Sequence, residues 1–188
     1  MGIIWIGLCS YCEEAENLKF FKTVTLFMVS ILLLTACNNA SFKDESKASV
    51  KTAKETFNEQ EKKPNQKSGK THFYLPSGYS IKDKSPNNII LQNGADTYIL
   101  FINPQEDSSS DVVYKATVDQ YQKLDTNEKF TNDNKLGFLI IKQLKDNSLN
   151  ELTIGVGGAK ITTQAKTSNL NDDARVMMEI VNSVETEK

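Results

Sequence analysis

Arginine, histidine and cysteine are scarce in this chain. Arg175 is the only arginine, His72 the only histidine, and Cys9, Cys12 and Cys37 the only cysteines among 188 residues. With one guanidinium, the chain has little of the planar, two-pronged donor that suits phosphate recognition. The formal net charge of −2 supplies no basic surplus, so nucleic acid is not an expected partner. Three cysteines and one histidine support neither a disulfide framework nor a Cys/His zinc site. After Cys37 no cysteine or tryptophan remains, which is compatible with an oxidising compartment because nothing there needs a disulfide. There is no G-x-S-x-G, no H-E-x-x-H, and no S-x-x-K followed by its partner motifs. His72, beside a polar segment at the start of the first strand, reads as a surface residue rather than a base. No catalytic residue, cofactor or metal is expected.

Two weaker chemical signals have plainer readings. Gly155-Val156-Gly157-Gly158 has the glycines of a phosphate loop but lacks the following helix and Lys-Ser/Thr, so a hairpin turn explains it better. Asn132-Asp133-Asn134 offers hard oxygen ligands without the calcium-loop spacing, and reads as a solvated turn. Asp119, Asp125, Glu128 and Asp133 leave paired-carboxylate chemistry on a cell-wall carbohydrate as a minor alternative.

What the chain does have is an address. Residues 18–37 read LKFFKTVTLFMVSILLLTAC: Lys19 and Lys22 make a short basic region, Thr23–Leu34 is apolar, and small residues lead to Cys37. That is the layout of an export signal. The apolar run is shorter than the roughly 20 residues that a spanning helix needs. Leu34-Thr35-Ala36-Cys37 resembles the lipobox of bacterial lipoproteins. The resemblance implies cleavage between Ala36 and Cys37, with a diacylglyceryl group on the Cys37 sulfur. Lipid on Cys37 would then hold the protein at the extracytoplasmic face of the cell membrane. Residues 1–17 fit this layout badly, because Glu13, Glu14 and Glu16 stand where export signals avoid acids. They read as a mis-assigned start extension, with Leu18 as a TTG start; the messenger sequence tests this. The Asn- and Lys-rich, Arg-poor composition points to a Gram-positive host.

Residues 37–70 are read as the lipidated cysteine and a flexible, solvated tether. Phe42, Val50 and Phe57 are the only large apolar residues in 38–70, too few to offset chain entropy, and no continuous apolar stripe supports a helix over Ala48–Glu61. Stretched out, those 33 residues would reach about 110 Å.

Residues 71–188 are expected to form one globular α+β domain. Short strands are read at His72–Leu75, Tyr79–Lys82, Asn88–Gln92 and Thr97–Asn103, the last two joined at Asn93-Gly94. Both faces of Thr97–Asn103 are apolar, so a sheet covered at least partly on both sides is expected. A helix over Val112–Leu124, capped by Ser110 or Asp111, puts Tyr114, Thr117, Val118 and Tyr121 on one face. Tyr114 and Tyr121 are the candidate contact with a partner, since Tyr is enriched in interface cores. Leu136–Gln143, Glu151–Val156 and Ala159–Lys166 form a three-strand meander with one face outward, turning at Asp146-Asn147-Ser148 and Gly157-Gly158. The last helix, capped by Asn171, buries Ala174, Met177, Met178, Val181 and Val184.

Runs of strands with two main helices give an antiparallel sheet flanked by helices. The phrase THFYLPSGYSI, the Asn93-Gly94 hairpin, the helix after the Ser loop and the terminal IVNSVE helix resemble the PsbP-like fold. That resemblance implies a non-enzymatic binding or accessory module, here with an envelope protein as partner. A small-ligand- or metal-binding lipoprotein is the alternative.

Overall fold

The computed structural model describes residues 41–145 and 149–187. The signal segment, Ala36, Cys37 and the turn at 146–148 lie outside them. From Ser41 onward the chain forms one compact unit, an α+β fold of antiparallel strands with three helices.

The first helix, α1 (Phe42–Asn58), stands where a solvated tether was expected. Its inward positions are Ser46, Ser49, Ala53, Thr56 and Phe57, all buried. They recur at helical spacing, but most are small or hydroxylated, so no apolar stripe marks them. The hydroxyls find partners at once. Ser49 donates to the Glu45 carbonyl at 2.7 Å, and Ser46 shares a 2.5 Å hydrogen bond with Thr126. With their hydrogen bonds made, small polar residues pack like alanine and let the helix lie close to its neighbours.

Strands β1 (Gln66–Ser68) and β2 (Thr71–Phe73) pair with β10 (Glu185–Thr186) in a small sheet. The main sheet comprises β3 (Ser80–Lys84), β4 (Asn88–Asn93), β5 (Asp96–Ile102), β6 (Thr126–Asn132), β7 (Lys135–Gln143), β8 (Leu149–Val156) and β9 (Ala159–Lys166). Its order is β3-β4-β5-β9-β8-β7-β6, and every pairing is antiparallel. Two-residue turns follow one pattern, with a positive φ at the first residue: Gly69, Gly94, Asp133 and Gly157. Asn132-Asp133-Asn134 is thus part of the β6–β7 hairpin. The sheet's two edges, β3 and β6, carry Lys82, Asp83 and Lys84, and Glu128 and Lys129. A bulge between Ile81 and Asp83 further breaks the β3 edge. Charges and bulges of this kind oppose edge-to-edge pairing.

Helix α3 (Leu170–Asn182), with α1 beside it, covers one face of the sheet. Between them lies the main core, including Phe57, Leu91, Leu100, Leu139, Leu152, Ile154, Ile161, Met177, Met178 and Val181. Of the expected stripe, Ala174, Met177, Met178 and Val181 are buried as read, whereas Val184 lies beyond the end of the helix and is only partly buried. The helix begins one residue before Asn171, and Asn169 takes the cap position. Asn171 instead accepts a 2.7 Å hydrogen bond from Thr52, tying α3 to α1.

Among the described residues the other face carries α2 (Val112–Val118), with Val113 beneath the helix over Phe138 and Ile140, and Leu124 from the segment after it. This helix is shorter than Val112–Leu124. Its end tightens into i+3 bonds, Gln120 N–H to Thr117 and Tyr121 N–H to Val118. Ser110 Oγ accepts from the Val112 amide at 3.2 Å, so of the two residues read as caps Ser110 supplies the side chain. Ile99 lies beyond the reach of α2 and is 46% exposed. The meander has four strands rather than three, because the polar stretch 126–132 is edge strand β6 with Phe130 alone buried. Strand β8 is covered on both faces rather than one, Thr153 being as buried as Leu152 and Ile154.

No helix among the described residues is long and apolar enough to cross a membrane.

Candidate functional site

A cleft of about 920 Å3 opens where β5 and β8 end and β9 begins. Its floor is apolar: Ile102, Val156, Ala159, Val181 and Val184. One wall is the loop Asn103–Ser108, the other the small sheet with Lys70, Thr71, Thr186 and Glu187, and Lys135 and Asn182 stand at its side. The size is that of a ligand site, but polar residues make up most of the lining and no aromatic side chain is among them, so the cleft departs from the mostly apolar make-up usual for small molecules.

The loop wall is held in place by backbone. Asn103 N–H donates to Gly158 at 2.8 Å, Gly158 N–H to Asp107 at 3.0 Å, and Leu136 N–H to Ser108 at 2.8 Å. These bonds need the loop to lie directly on the β8–β9 turn. A Cβ on Gly157 would meet the Asp107 carbonyl oxygen at 2.1 Å, and one on Gly158 the Glu106 oxygen at 2.7 Å. The glycines read as a hairpin turn do form one, and they also seat the wall of the cleft.

The loop's carboxylates serve the loop. Asp107 Oδ1 accepts from the Ser109 amide at 2.8 Å and from its hydroxyl at 2.6 Å. Glu106 accepts from the Ser110 hydroxyl. On the opposite wall, Glu187 receives Lys67 at 2.8 Å and His72 at 2.7 Å. Hydrogen bonds from Lys67 and then His72 hold its carboxyl down at about 2. His72 is therefore a partly exposed clasp between β2 and the chain's last described residues. Lys135 pairs with Glu61. Among the described residues no three His, Cys, Asp or Glu side chains gather as a metal site would require.

The two tyrosines expected to meet a partner face the sheet. Tyr114 sits edge-on to Phe138 with ring centroids 5.4 Å apart, and its hydroxyl donates to Asn127 at 3.2 Å. Lys129 lies 5.0 Å from its ring centre. Tyr121 donates to the Glu151 carboxylate, and burial followed by that carboxylate raises the phenol's pKa. Beneath them the Lys160 ammonium donates to Thr117 Oγ1 at 3.0 Å. Burial pushes Lys160 down, and Glu151 partly opposes that shift. The rings and this network fasten α2 to the sheet.

Sequence reading missed the cleft because its walls come from segments far apart in the chain: the Gly69 turn, the 103–108 loop, and the stretch after α3. Only the Gly157-Gly158 pair pointed toward it. No family model matches this chain, and no curated protein matches it.

Proposed function

We propose that this protein is a lipid-anchored binding or accessory protein of the bacterial cell envelope. It is held at the extracytoplasmic face of the membrane by a diacylglyceryl group on Cys37, and its cleft receives an envelope partner. The observation that carries the reading is the lipobox after its basic and apolar run, with every described element lying C-terminal to its cleavage point. The lipobox Leu34-Thr35-Ala36-Cys37 sets a cleavage between Ala36 and Cys37, and the folded unit starts at Ser41. Removing the signal there would leave every described element intact. The braced cleft supports the binding part, because a wall fixed by backbone bonds need not be ordered when a partner arrives.

Two measurements test this. Replacing Cys37 with Ala should release the protein from the membrane fraction, and continued membrane fractionation of that variant defeats the anchor. In-cell cross-linking with mass spectrometry should enrich one envelope protein, with cross-links at Lys70 and Lys135 beside the cleft. No enriched partner, or cross-links confined to the sheet face around Ile99, defeats the partner assignment. The cleft's apolar floor and polar rim also favour a small polar ligand as a second reading, which a thermal-shift screen would detect as a stabilised unfolding transition.

A further inference from the structure

The helix found in place of the tether changes where the domain stands, provided that Cys37 is the anchor as proposed above. Four peptide steps separate Cys37 from Ser41, where the folded unit begins, and four steps reach at most about 14 Å. A domain on so short a leash stays beside the bilayer, and α1 is the element nearest to it.

A stripe of lysines runs along the outward face of α1. Lys43, Lys47, Lys51 and Lys54 are all exposed. At 3.6 residues per turn they fall within roughly 80° of one face and extend over about 16 Å of helix. Asp44 and Glu55 border this stripe, and Glu45 lies farther round. Lys51 meets Glu55 at 3.8 Å, with both side chains mostly exposed, whereas Lys43, Lys47 and Lys54 enter no ion pair among the described residues. The face turned away from the stripe is buried through Ser49, Ala53 and Thr56, so the fold fixes which way the lysines point.

We infer that the Lys43/Lys47/Lys51/Lys54 stripe rests on the anionic phospholipid headgroups of the bilayer that holds Cys37. Clustered lysines next to an anchor are drawn to an anionic leaflet, and the attraction fades within about 8 Å at physiological salt. The leash is short enough to let the stripe lie down within that range, and the attraction then holds it there. The lipid and the stripe together make a two-point attachment, which gives the domain one orientation on the membrane rather than free rotation about a single acylated residue.

The test uses the full-length lipidated protein in nanodiscs of phosphatidylglycerol and, separately, of phosphatidylcholine. With Cys37 acylated, an introduced cysteine is the only free thiol of the processed chain. Nitroxide labels are placed at Glu55→Cys, bordering the stripe, and at Ile99→Cys, on the sheet face away from α1. In phosphatidylglycerol the label at 55 should lose collisions with an aqueous nickel chelate by a factor of about three or more, while the label at 99 does not change. About 0.5 M salt should restore access. Changing all four lysines to Gln should abolish the protection while the protein stays in the nanodisc. Equal access at 55 in both lipids overturns the inference, and so does protection that survives the Gln changes. Protection that appears only when an anionic wall polymer is added moves the stripe's partner off the bilayer and overturns it too. Intact mass separates this from the anchor: if Cys37 carries no acyl chains, the anchored reading falls first and this inference with it.

Discussion

The Tyr98 hydroxyl on β5 donates to Asp173 Oδ1 on α3 at 2.8 Å. Tyr79 packs against Tyr98 with ring centres 5.2 Å apart and ring planes tilted by 56°. The contact joins the first turn of α3 to an interior strand of the sheet. Burial raises the pKa of Asp173, the Tyr98 hydrogen bond partly opposes this, and Asp96 and Asp172 nearby add to the rise. A carboxyl held above its unfolded value is more easily protonated in the folded state. Its contribution to stability is therefore fully present in acid, and it declines as pH rises from the ordinary carboxylate range, about 4, through the raised folded value. Asp173→Asn keeps an acceptor for Tyr98 and removes the buried charge. Urea denaturation at pH 4 to 7 should show the variant gaining on the parent as pH rises. A difference that is flat, or that grows toward acid, contradicts this assignment.

Gly157 and Gly94 both begin two-residue hairpin turns with positive φ, 51° and 57°. Only Gly157 is crowded: its Cβ would meet the Asp107 carbonyl oxygen at 2.1 Å, whereas nothing lies within 4 Å at Gly94. Gly94→Ala should cost about 1 kcal/mol from backbone strain alone. Gly157→Ala should cost on the order of 3 kcal/mol and free the 103–108 wall of the cleft. Denaturation with hydrogen exchange at Gly158 reads both effects, and equal losses would show that the loop does not depend on the turn.

Phe57 tests whether α1 belongs to the folded unit. Its ring is 3% exposed and lies 6.2 Å from that of Phe130 on β6. The Gly137 Cα sits directly beneath it, and a Cβ there would approach the ring to 2.9 Å. Phe57→Ala should destabilise the protein by about 3–5 kcal/mol. In a solvated tether the same change would have almost no effect, so a loss near zero in chemical denaturation would remove α1 from the core.

The contrast between α1 and α3 shows what could be read in advance. Met177, Met178 and Val181 advertise an apolar face, and their burial follows from spacing alone. On α1 the buried face is Ser46, Ser49, Ala53, Thr56 and Phe57; Ser46 meets Thr126, 80 residues away, and the half-buried Thr52 beside them meets Asn171, 119 residues away. Hydroxyls look solvated until the fold supplies acceptors, so this helix was invisible to a count of large apolar residues. Strand β6 was hidden in the same way, with one buried residue, Phe130, in seven. The hairpins were legible because turn glycines act locally. The cleft was not, because its floor and walls meet only after the sheet has formed.

Glu187 gives the last prediction. Its carboxylate holds Lys67 on β1 and His72 on β2, while its amide donates to the Lys70 carbonyl at 2.9 Å. These contacts close the small sheet that walls the cleft. Its pKa is lowered from 4.5 to about 2 by these partners, so the clasp is complete above the ordinary value and weakens as pH falls toward the lowered one. Glu187→Gln keeps an acceptor but discards the charge that the Lys67 ammonium addresses. At neutral pH the variant should exchange the amides of β2 and β10 faster than the parent, with no change in the protection of β8 and β9 in the main sheet. The parent should reach the same fast exchange only in acid, between about pH 4.5 and 2. The group is exposed and screened, so the effect should be local and should shrink in high salt. Uniform loss of protection across both sheets would mean instead that Glu187 supports the whole fold, and unchanged exchange would mean that the backbone pairing of Glu185 and Thr186 with β2 closes the wall unaided.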